Sequence, residues 1–306
     1  MKWILQHRAA SIITLGIALS IAVVVAFAPS TWPTMMARSF LPQWIAAFCL
    51  VAMWLLWKKR WREGVLTSCG ALLLWPQLPD AVHQVIGDGP QLRAAHFNVL
   101  QSNEAYEGVI RTMLLAAADV ISVQEVDPEW AAALIEGLSA SYPHHVIAAH
   151  TNCYGIALFS RVPLIDAHVV HLGASPAIDA HVAIGSRRVH LIAAHTSSPG
   201  SPGHFSARNH QFELLRDHVR ASTEPVIVIG DLNATPWDKD LQRLLAATGL
   251  RTHADVYDPT FPSELHMALI PIDHVLAPAG ISVAQHSVHL PGSDHRGLVA
   301  EIGFAR

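Results

Sequence analysis

The chain has 306 residues, of which 51% are hydrophobic and only 14% charged, a balance that excludes a disordered chain and argues against an ordinary cytosolic enzyme. Its charge is unevenly placed: residues 1 to 90 carry seven Lys or Arg against three Asp or Glu, and residues 91 to 306 carry thirteen against twenty-one. This predicts a membrane anchor over 1–80, a linker over 81–91 and one acidic domain over 92–306. Cys49 and Cys69 lie inside apolar stretches and Cys153 stands alone, which leaves no disulfide framework and no cysteine-based zinc site.

Ala9 to Ala37 holds no charged residue, and the first predicted helix, 9–29, is long enough to cross a hydrocarbon core of about 30 Å. The rival reading is a cleaved signal peptide, because Lys2 and Arg8 precede the run and Ala26-Phe27-Ala28 has the pattern of a cleavage site. Pro29 directly after it, and a second uncharged run over 39–57, favour retention. Lys58, Lys59, Arg60 and Arg62 form a basic cluster of the kind that stays on the cytoplasmic side. A third run, 64–79, has sixteen uncharged residues, fewer than the about 20 of a comfortable span. If it crosses, the large domain is extracytoplasmic; if it lies in the interface, the domain is cytosolic. Leu72-Leu73-Leu74-Trp75 favours crossing, hence a multi-pass protein of a bacterial-type inner membrane whose domain faces outward.

After the turn residues Gly87, Gly89 and Pro90, short β runs alternate with helical segments. Strands are predicted over 93–100, ending near Asn98, over 119–124, delivering Glu125, over 155–159 and over 189–194, carrying His195 at its end. Helices are predicted over 106–118, from Pro128 onward, over 207–220 and over 239–247. Strand 226–229 opens into Gly230-Asp231-Leu232-Asn233, Ile272-Asp273-His274-Val275-Leu276 follows, and Gly292-Ser293-Asp294-His295-Arg296 precedes a last strand over 298–304. Polar residues recur where strands end, the usual place for groups held by a rigid sheet.

Glu125, Asp231 and Asp294 are carboxylates, Asn98 and Asn233 carboxamides, His195 and His295 imidazoles. Hard oxygen donors of this kind suit Mg²⁺ or Mn²⁺ shared with substrate phosphate oxygens, so the inferred substrate is a phosphate ester. Asp231 and Asn233 are two apart beyond a strand and emerge on one face if the extended geometry persists. Each feature alone has a plainer explanation. An Asp-x-Asn after a strand is ordinarily an Asx turn, Glu125 could cap the helix at Pro128, and most of the eighteen histidines after residue 90 must be solvated or structural. Cys153 has no surrounding motif that prepares a thiolate.

The order of the motifs carries more. Phe97-Asn98-Val99, Val123-Gln124-Glu125-Val126, Tyr154-Gly155-Ile156-Ala157-Leu158-Phe159-Ser160-Arg161, Ala194-His195-Thr196, Ile229-Gly230-Asp231-Leu232-Asn233, Ile272-Asp273-His274-Val275 and Ser293-Asp294-His295-Arg296 together resemble the endonuclease/exonuclease/phosphatase family over about residues 92 to 304. The resemblance implies an α/β (α+β) four-layer sandwich of two mainly antiparallel sheets packed face to face with helices outside. It implies that Glu125 is a metal ligand, with Asn98 and Asp294 close to the same ion. Asp231 would orient or deprotonate the attacking water, Asn233 would hold a phosphate oxygen, and His295, braced by Asp273, would bind the phosphoryl oxygens or pass a proton. His195 would be the general acid for the leaving oxygen. Roles for Asn152 and Tyr154 stay open, because the segment around them departs from the family pattern.

The family's members include nucleases and lipid phosphoesterases, so the motifs leave the substrate open. With His neutral the domain carries 13 − 21 = −8 charges, and Arg187-Arg188 is its only Arg/Lys doublet, whereas a nonspecific nuclease gains affinity from cations along the phosphate backbone. An anchor also concentrates the domain at a bilayer. The layout is similar to bacterial membrane phosphoesterases grouped with glycopeptide-resistance accessory proteins. That likeness implies a lipid-linked phosphate or pyrophosphate, with a membrane-tethered nuclease as the alternative and a noncatalytic scaffold a distant third.

Overall fold

The computed structural model describes residues 16, 18–79, 89, 91–263 and 269–305. The chain divides into two units: residues 1–80 with Trp237–Lys239, and residues 81–236 with 240–306.

In the first unit the apolar runs form α1 (Ala18–Phe27), α2 (Trp32–Ser39), α3 (Leu41–Trp57) and α4 (Trp61–Leu74), closed by a 3₁₀ turn over Trp75–Gln77. The predicted helix 9–29 begins outside the described residues. Among the described residues no single helix is long and apolar enough to cross a membrane; α1 and α2 meet that requirement only as a pair bent by 106°. Proline explains the break. Pro29 follows α1 and cannot donate to its last turn, while Pro33 sits in the first turn of α2, where no donor is needed. The third run also differs from expectation, because the helix starts at Trp61 within the basic cluster and ends at Leu74, before Pro76. α3 and α4 pack against each other through small residues: a Cβ at Gly64 would lie 2.6 Å from Leu56, and one at Gly70 would lie 2.6 Å from Phe48. Close approach of this kind is how helices associate where lipid removes the hydrophobic drive.

The second unit is built on two six-stranded sheets. In sheet A the order is β11 (Ile281–Val288), β12 (Gly297–Phe304), β1 (Gln91–Asn98), β2 (Val120–Gln124), β4 (Ile156–Ser160), β3 (His144–Ala148). In sheet B it is β5 (Ile165–Leu172), β6 (Ser175–Ile184), β7 (Arg187–Ala194), β8 (Val226–Asp231), β10 (Asp273–Pro278), β9 (Leu250–Thr252). Each sheet is mixed: β1 and β2 run parallel, as do β7 and β8, and the other pairs are antiparallel. A parallel neighbour needs a crossover, and α5 (Tyr106–Ala116) and α7 (Pro202–Ala221) supply one in each sheet. The remaining helices are α6 (Pro128–Leu138) and α8 (Lys239–Thr248).

Alternation along the strands separates three apolar layers. Ile178, Ala180, Val182, Leu191, Ile227 and Ile229 meet Leu92, Ala94, Ile156 and Leu158 between the sheets. Phe97, Ile121, Val123 and Phe159 face Val109, Met113, Trp130 and Leu134 of α5 and α6. Ala177, Ile192, Val226 and Val228 face Phe212, Leu215, Leu241 and Leu244 of α7 and α8. The result is the expected four layers of helix, sheet, sheet and helix. Helix boundaries follow local chemistry: Asp127 caps α6 by accepting from Trp130 N, with Pro128 in the first turn, and Ser201 caps α7 by accepting from His204 N. α7 therefore begins five residues before its predicted start.

Candidate active site

The strand directions place the site. Asn98 and Glu125 stand at the carboxyl ends of the parallel pair β1 and β2, and His195 and Asp231 at the ends of β7 and β8. β10 pairs antiparallel with β8 and opens at the same edge, with Asp273 opposite Asp231. His295 lies just before β12, which is antiparallel to β1. Six chain segments thus deliver polar side chains to one end of the sandwich.

Asp231 is the hub. It is 1% exposed, and its Oδ2 lies 3.3 Å from Asn98 Nδ2, 3.7 Å from His195 Nε2 and 3.6 Å from His295 Nε2. Its Oδ1 accepts from Asn233 N at 2.8 Å. Glu125 is held from both sides: Oε1 accepts from Asn98 Nδ2 at 3.1 Å and Oε2 from Gln101 N at 3.0 Å. Glu125 (φ 64°) and Asn233 (φ 47°) both occupy the left-handed region, which is sparsely populated by residues with a Cβ and costs backbone energy that the surrounding bonds must offset.

Asp273 is fully buried, and its two oxygens are divided between two imidazoles: Oδ2 lies 2.9 Å from His295 Nδ1, Oδ1 2.8 Å from His96 Nε2. His96 was not singled out by the sequence; its signal was one residue from the Phe97-Asn98-Val99 motif, on the strand face opposite Phe97. Gln124 is a second omission. It bridges the sheets, donating from Nε2 to Ala194 O at 2.6 Å and accepting Asp231 N on Oε1 at 2.9 Å. Tyr154 OH lies 3.0 Å from Ser197 Oγ and its ring is tilted against His195 at 6.2 Å, whereas Asn152 is occupied in a turn with Tyr154 N. Asn233 Nδ2 donates to Thr196 O at 2.9 Å, tying the loop after β8 to the loop after β7.

The electrostatics divide the titrating groups. Burial pushes Asp231 up to about 8, with Asp273 and Glu125 adding to the rise against the pull of His295. Burial also opposes charge on His295, yet Asp273 and Asp231 outweigh it and raise the imidazole to about 10. Asp273 is correspondingly held far below the usual carboxylate range despite burial, by His295 and His96. Burial lowers His195 to about 4. One imidazole is therefore a resident cation and the other is neutral at rest.

Two groups of His and carboxylate side chains among the described residues bring three donor atoms within 4.8 Å of one another: Asp231, Asp273 and His295, and separately Asp179, His190 and His218. In the first group both Asp273 oxygens are already shared with imidazoles, so that carboxylate has little to offer a cation. The acidic oxygens of Glu125 and Asp231, brought to one side by Asn98, form the harder donor set, and their chemistry fits Mg²⁺ or Mn²⁺. Asp294 is half-buried; its backbone carbonyl accepts from Ser263 N, and its charge reaches His295 through space. The structure thus brings together Asn98, Glu125, Asp231, His195, His295, Asp273 and Asn233, with Asp294 at the margin.

The sequence model of the Endonuclease/Exonuclease/phosphatase family matches residues 95–295, nearly the whole second unit. The chain belongs to the endonuclease/exonuclease/phosphatase family. Its members are hydrolases of phosphate esters. The sandwich is shared with family members of known structure. An endonuclease/exonuclease/phosphatase family protein from Bacteroides thetaiotaomicron is 15% identical, with 72% of this chain and 100% of that one covered and a TM-score of 0.59. TDP2 of D. rerio complexed with a single-stranded DNA product is 14% identical over 70% of this chain and 99% of that one, TM-score 0.58. Sphingomyelinase C from Streptomyces griseocarneus is 19% identical over 69% and 99%, TM-score 0.52. No curated protein sequence matches the chain. At these identities the endonuclease/exonuclease/phosphatase likeness describes the fold and leaves the substrate open.

Proposed function

We propose that this protein is a membrane-anchored, divalent-metal-dependent phosphoesterase whose substrate is a lipid-linked phosphate ester or pyrophosphate. The observation that carries the chemical part is the arrangement around Asp231 Oδ2, which three polar side chains from three strand ends approach within 3.3 to 3.7 Å. A water there would have Asp231 Oδ2 as its proton acceptor once that carboxyl is ionised, and a cationic imidazole beside the phosphoryl group.

The residues divide the work as follows. A Mg²⁺ or Mn²⁺ ion held by Glu125, with Asn98 and Asp294 close by, would neutralise charge on the phosphoryl oxygens. Asp231, aligned by Asn233 N and by Gln124 through its own backbone N–H, orients the water and takes its proton. Burial raises its carboxyl to about 8, so it holds a proton near pH 7, and a cation at the neighbouring Glu125 would lower it into the range where the carboxylate can take the proton of water. His295, kept protonated by Asp273, donates to a phosphoryl oxygen where charge develops. Asn233 contributes a further polar contact to the same oxygens. His195 is neutral at rest, and the negative charge of a bound ester raises its proton affinity until it can protonate the leaving oxygen.

The lipid-linked part rests on the apolar first unit and on the domain's formal charge of −8, which weakens any sequence-independent hold on nucleic acid. The likeness to TDP2 of D. rerio bound to a single-stranded DNA product makes nucleic acid hydrolysis the second reading. One comparison decides between them: the full-length protein with Mg²⁺ is assayed for phosphate release from polyprenyl pyrophosphate and for nicking of plasmid DNA. Release without nicking supports the lipid substrate. Nicking without release replaces it by a tethered nuclease.

A further inference from the structure

We propose that Asp179, His190 and His218 form a second metal site, outside the catalytic cluster, that binds one zinc-class transition-metal ion and clamps α7 onto sheet B. Ile178, Ala180 and Val182 of β6 point into the core between the sheets, so alternation turns Asp179 to the outer face, under α7. His190 comes from the neighbouring strand β7 and His218 from the last turn of α7. Asp179 is 3% and His190 6% exposed. A carboxylate and an imidazole on the covered face of a sheet are costly to bury unless something binds them.

Hydrogen bonds do not complete this cluster. One oxygen, Asp179 Oδ2, meets the Nε2 atoms of both imidazoles, at 2.8 Å for His190 and closer for His218. His190 Nε2 shares the single oxygen Asp179 Oδ2 with His218, and His190 Nδ1 has no hydrogen-bond partner although the ring is buried. Leaving such a group unsatisfied is expensive. Two Nε2 atoms and a carboxylate oxygen, all within 4.8 Å, are the donors that zinc prefers and differ from the oxygen-rich set at Glu125. His181 stacks on His190 with centroids 4.7 Å apart and fixes the ring plane. The His218 side chain is 32% exposed, which leaves a water-accessible side for a fourth ligand.

The clamp has a mechanical consequence. α7 also carries Gln211, whose Oε1 accepts Ser197 N at 2.7 Å, and Arg208, which donates to Asn233 O at 2.9 Å. Fixing the carboxyl end of α7 therefore steadies the helix that supports the loops after His195 and Asp231.

The test uses the purified full-length protein stripped by chelator and dialysed against Zn²⁺, with bound metal counted by mass spectrometry and thermal unfolding recorded with and without Zn²⁺. Glu125→Gln controls for metal at the catalytic carboxylates, and His218→Ala and Asp179→Asn remove the proposed ligands. The expected result is one equivalent of Zn²⁺ fewer in both ligand variants than in the wild type. A rise in Tm of about 5 to 10 °C at a hundredfold excess over Kd should appear in the wild type and in Glu125→Gln, and be absent from the ligand variants. Equal Zn²⁺ content in the wild type and His218→Ala, or an undiminished Tm rise in that variant, overturns the proposal and leaves a His218–Asp179 ion pair. Should the ligand variants fail to fold, Co²⁺ loaded into Glu125→Gln decides: intense visible absorption of a four-coordinate ion supports the site, and its absence overturns it.

Discussion

Glu125 occupies a backbone conformation with a positive φ and has both oxygens held in place, a cost consistent with an oriented carboxylate. Glu125→Gln keeps the size and the ability to accept from Gln101 N, but a neutral amide holds a hard cation poorly. Activity should fall by about 10² or more, the usual scale for one preorganised electrostatic contact, while circular dichroism and Tm stay near wild type. Full activity of the wild type in excess chelator would contradict the metal assignment. The two active-site histidines separate by leaving group. His295, raised to about 10 by Asp273 and Asp231 against burial, contacts the transferring group whatever departs, so His295→Ala should lower kcat/KM about equally on an alkyl and a nitrophenyl ester. His195, lowered to about 4 by burial, matters as an acid only for a poor leaving group, so His195→Ala should hurt the alkyl ester far more. Equal losses on both esters would make His195 a positioning group.

Strands explain why these residues converge, and Gln124 shows it best. It ends β2 in sheet A and binds Ala194 O and Asp231 N in sheet B, so one side chain sets the spacing of the sheets at the site. Gln124→Leu strands a buried carbonyl and a buried N–H, each costing about 1 to 3 kcal/mol, and a loss of about 2 to 4 kcal/mol in urea unfolding is expected together with reduced activity; an unchanged midpoint would show that water replaces the amide. The central strands were legible from sequence because each ends in a polar motif: β1, β2, β7 and β8 lie within two residues of their predicted ends. β3, β5, β6, β9 and β11 are not anticipated by the sequence. β3 and β5 are edge strands rich in exposed His and Asp, with His144, His145, His168 and His171 along them, so a period-two apolar signal is weak. β6 carries Asp179 and His181 on its helix-covered face, where an apolar residue would be the norm. The candidate site residues stand out in the sequence for the opposite reason, since residue type and order along the chain survive where apolar patterning fails. His96 and Gln124 escaped because their roles arise only from cross-strand and cross-sheet pairing.

At the scale of the molecule, the domain's many histidines make its stability depend on acid. His253 is 8% exposed, and burial, with help from Arg251, lowers it to about 4; neither ring nitrogen has a hydrogen-bond partner. His274 is buried between Thr252 Oγ1 at 2.7 Å and Ala234 O at 2.7 Å, and burial lowers it to about 4 as well. For such groups the unfolded chain, with values near 6.5, binds protons before the folded one does. Stability is therefore complete above about pH 6.5, declines as pH falls from there toward 4, and levels off below. At pH 5 each histidine accounts for a loss of about 2 kcal/mol relative to pH 7, by linkage between values of 6.5 and 4. The comparison that isolates one of them is urea unfolding of the wild type and His253→Leu at pH 7 and pH 5. Since leucine cannot protonate, the variant should lose about 2 kcal/mol less than the wild type between the two pH values, whatever its packing does to the absolute stability. The difference between the two pH values cancels any packing effect common to both. Identical losses in the two proteins would place the acid sensitivity elsewhere, first in His274, whose ring is shared between β9 and the loop after β8.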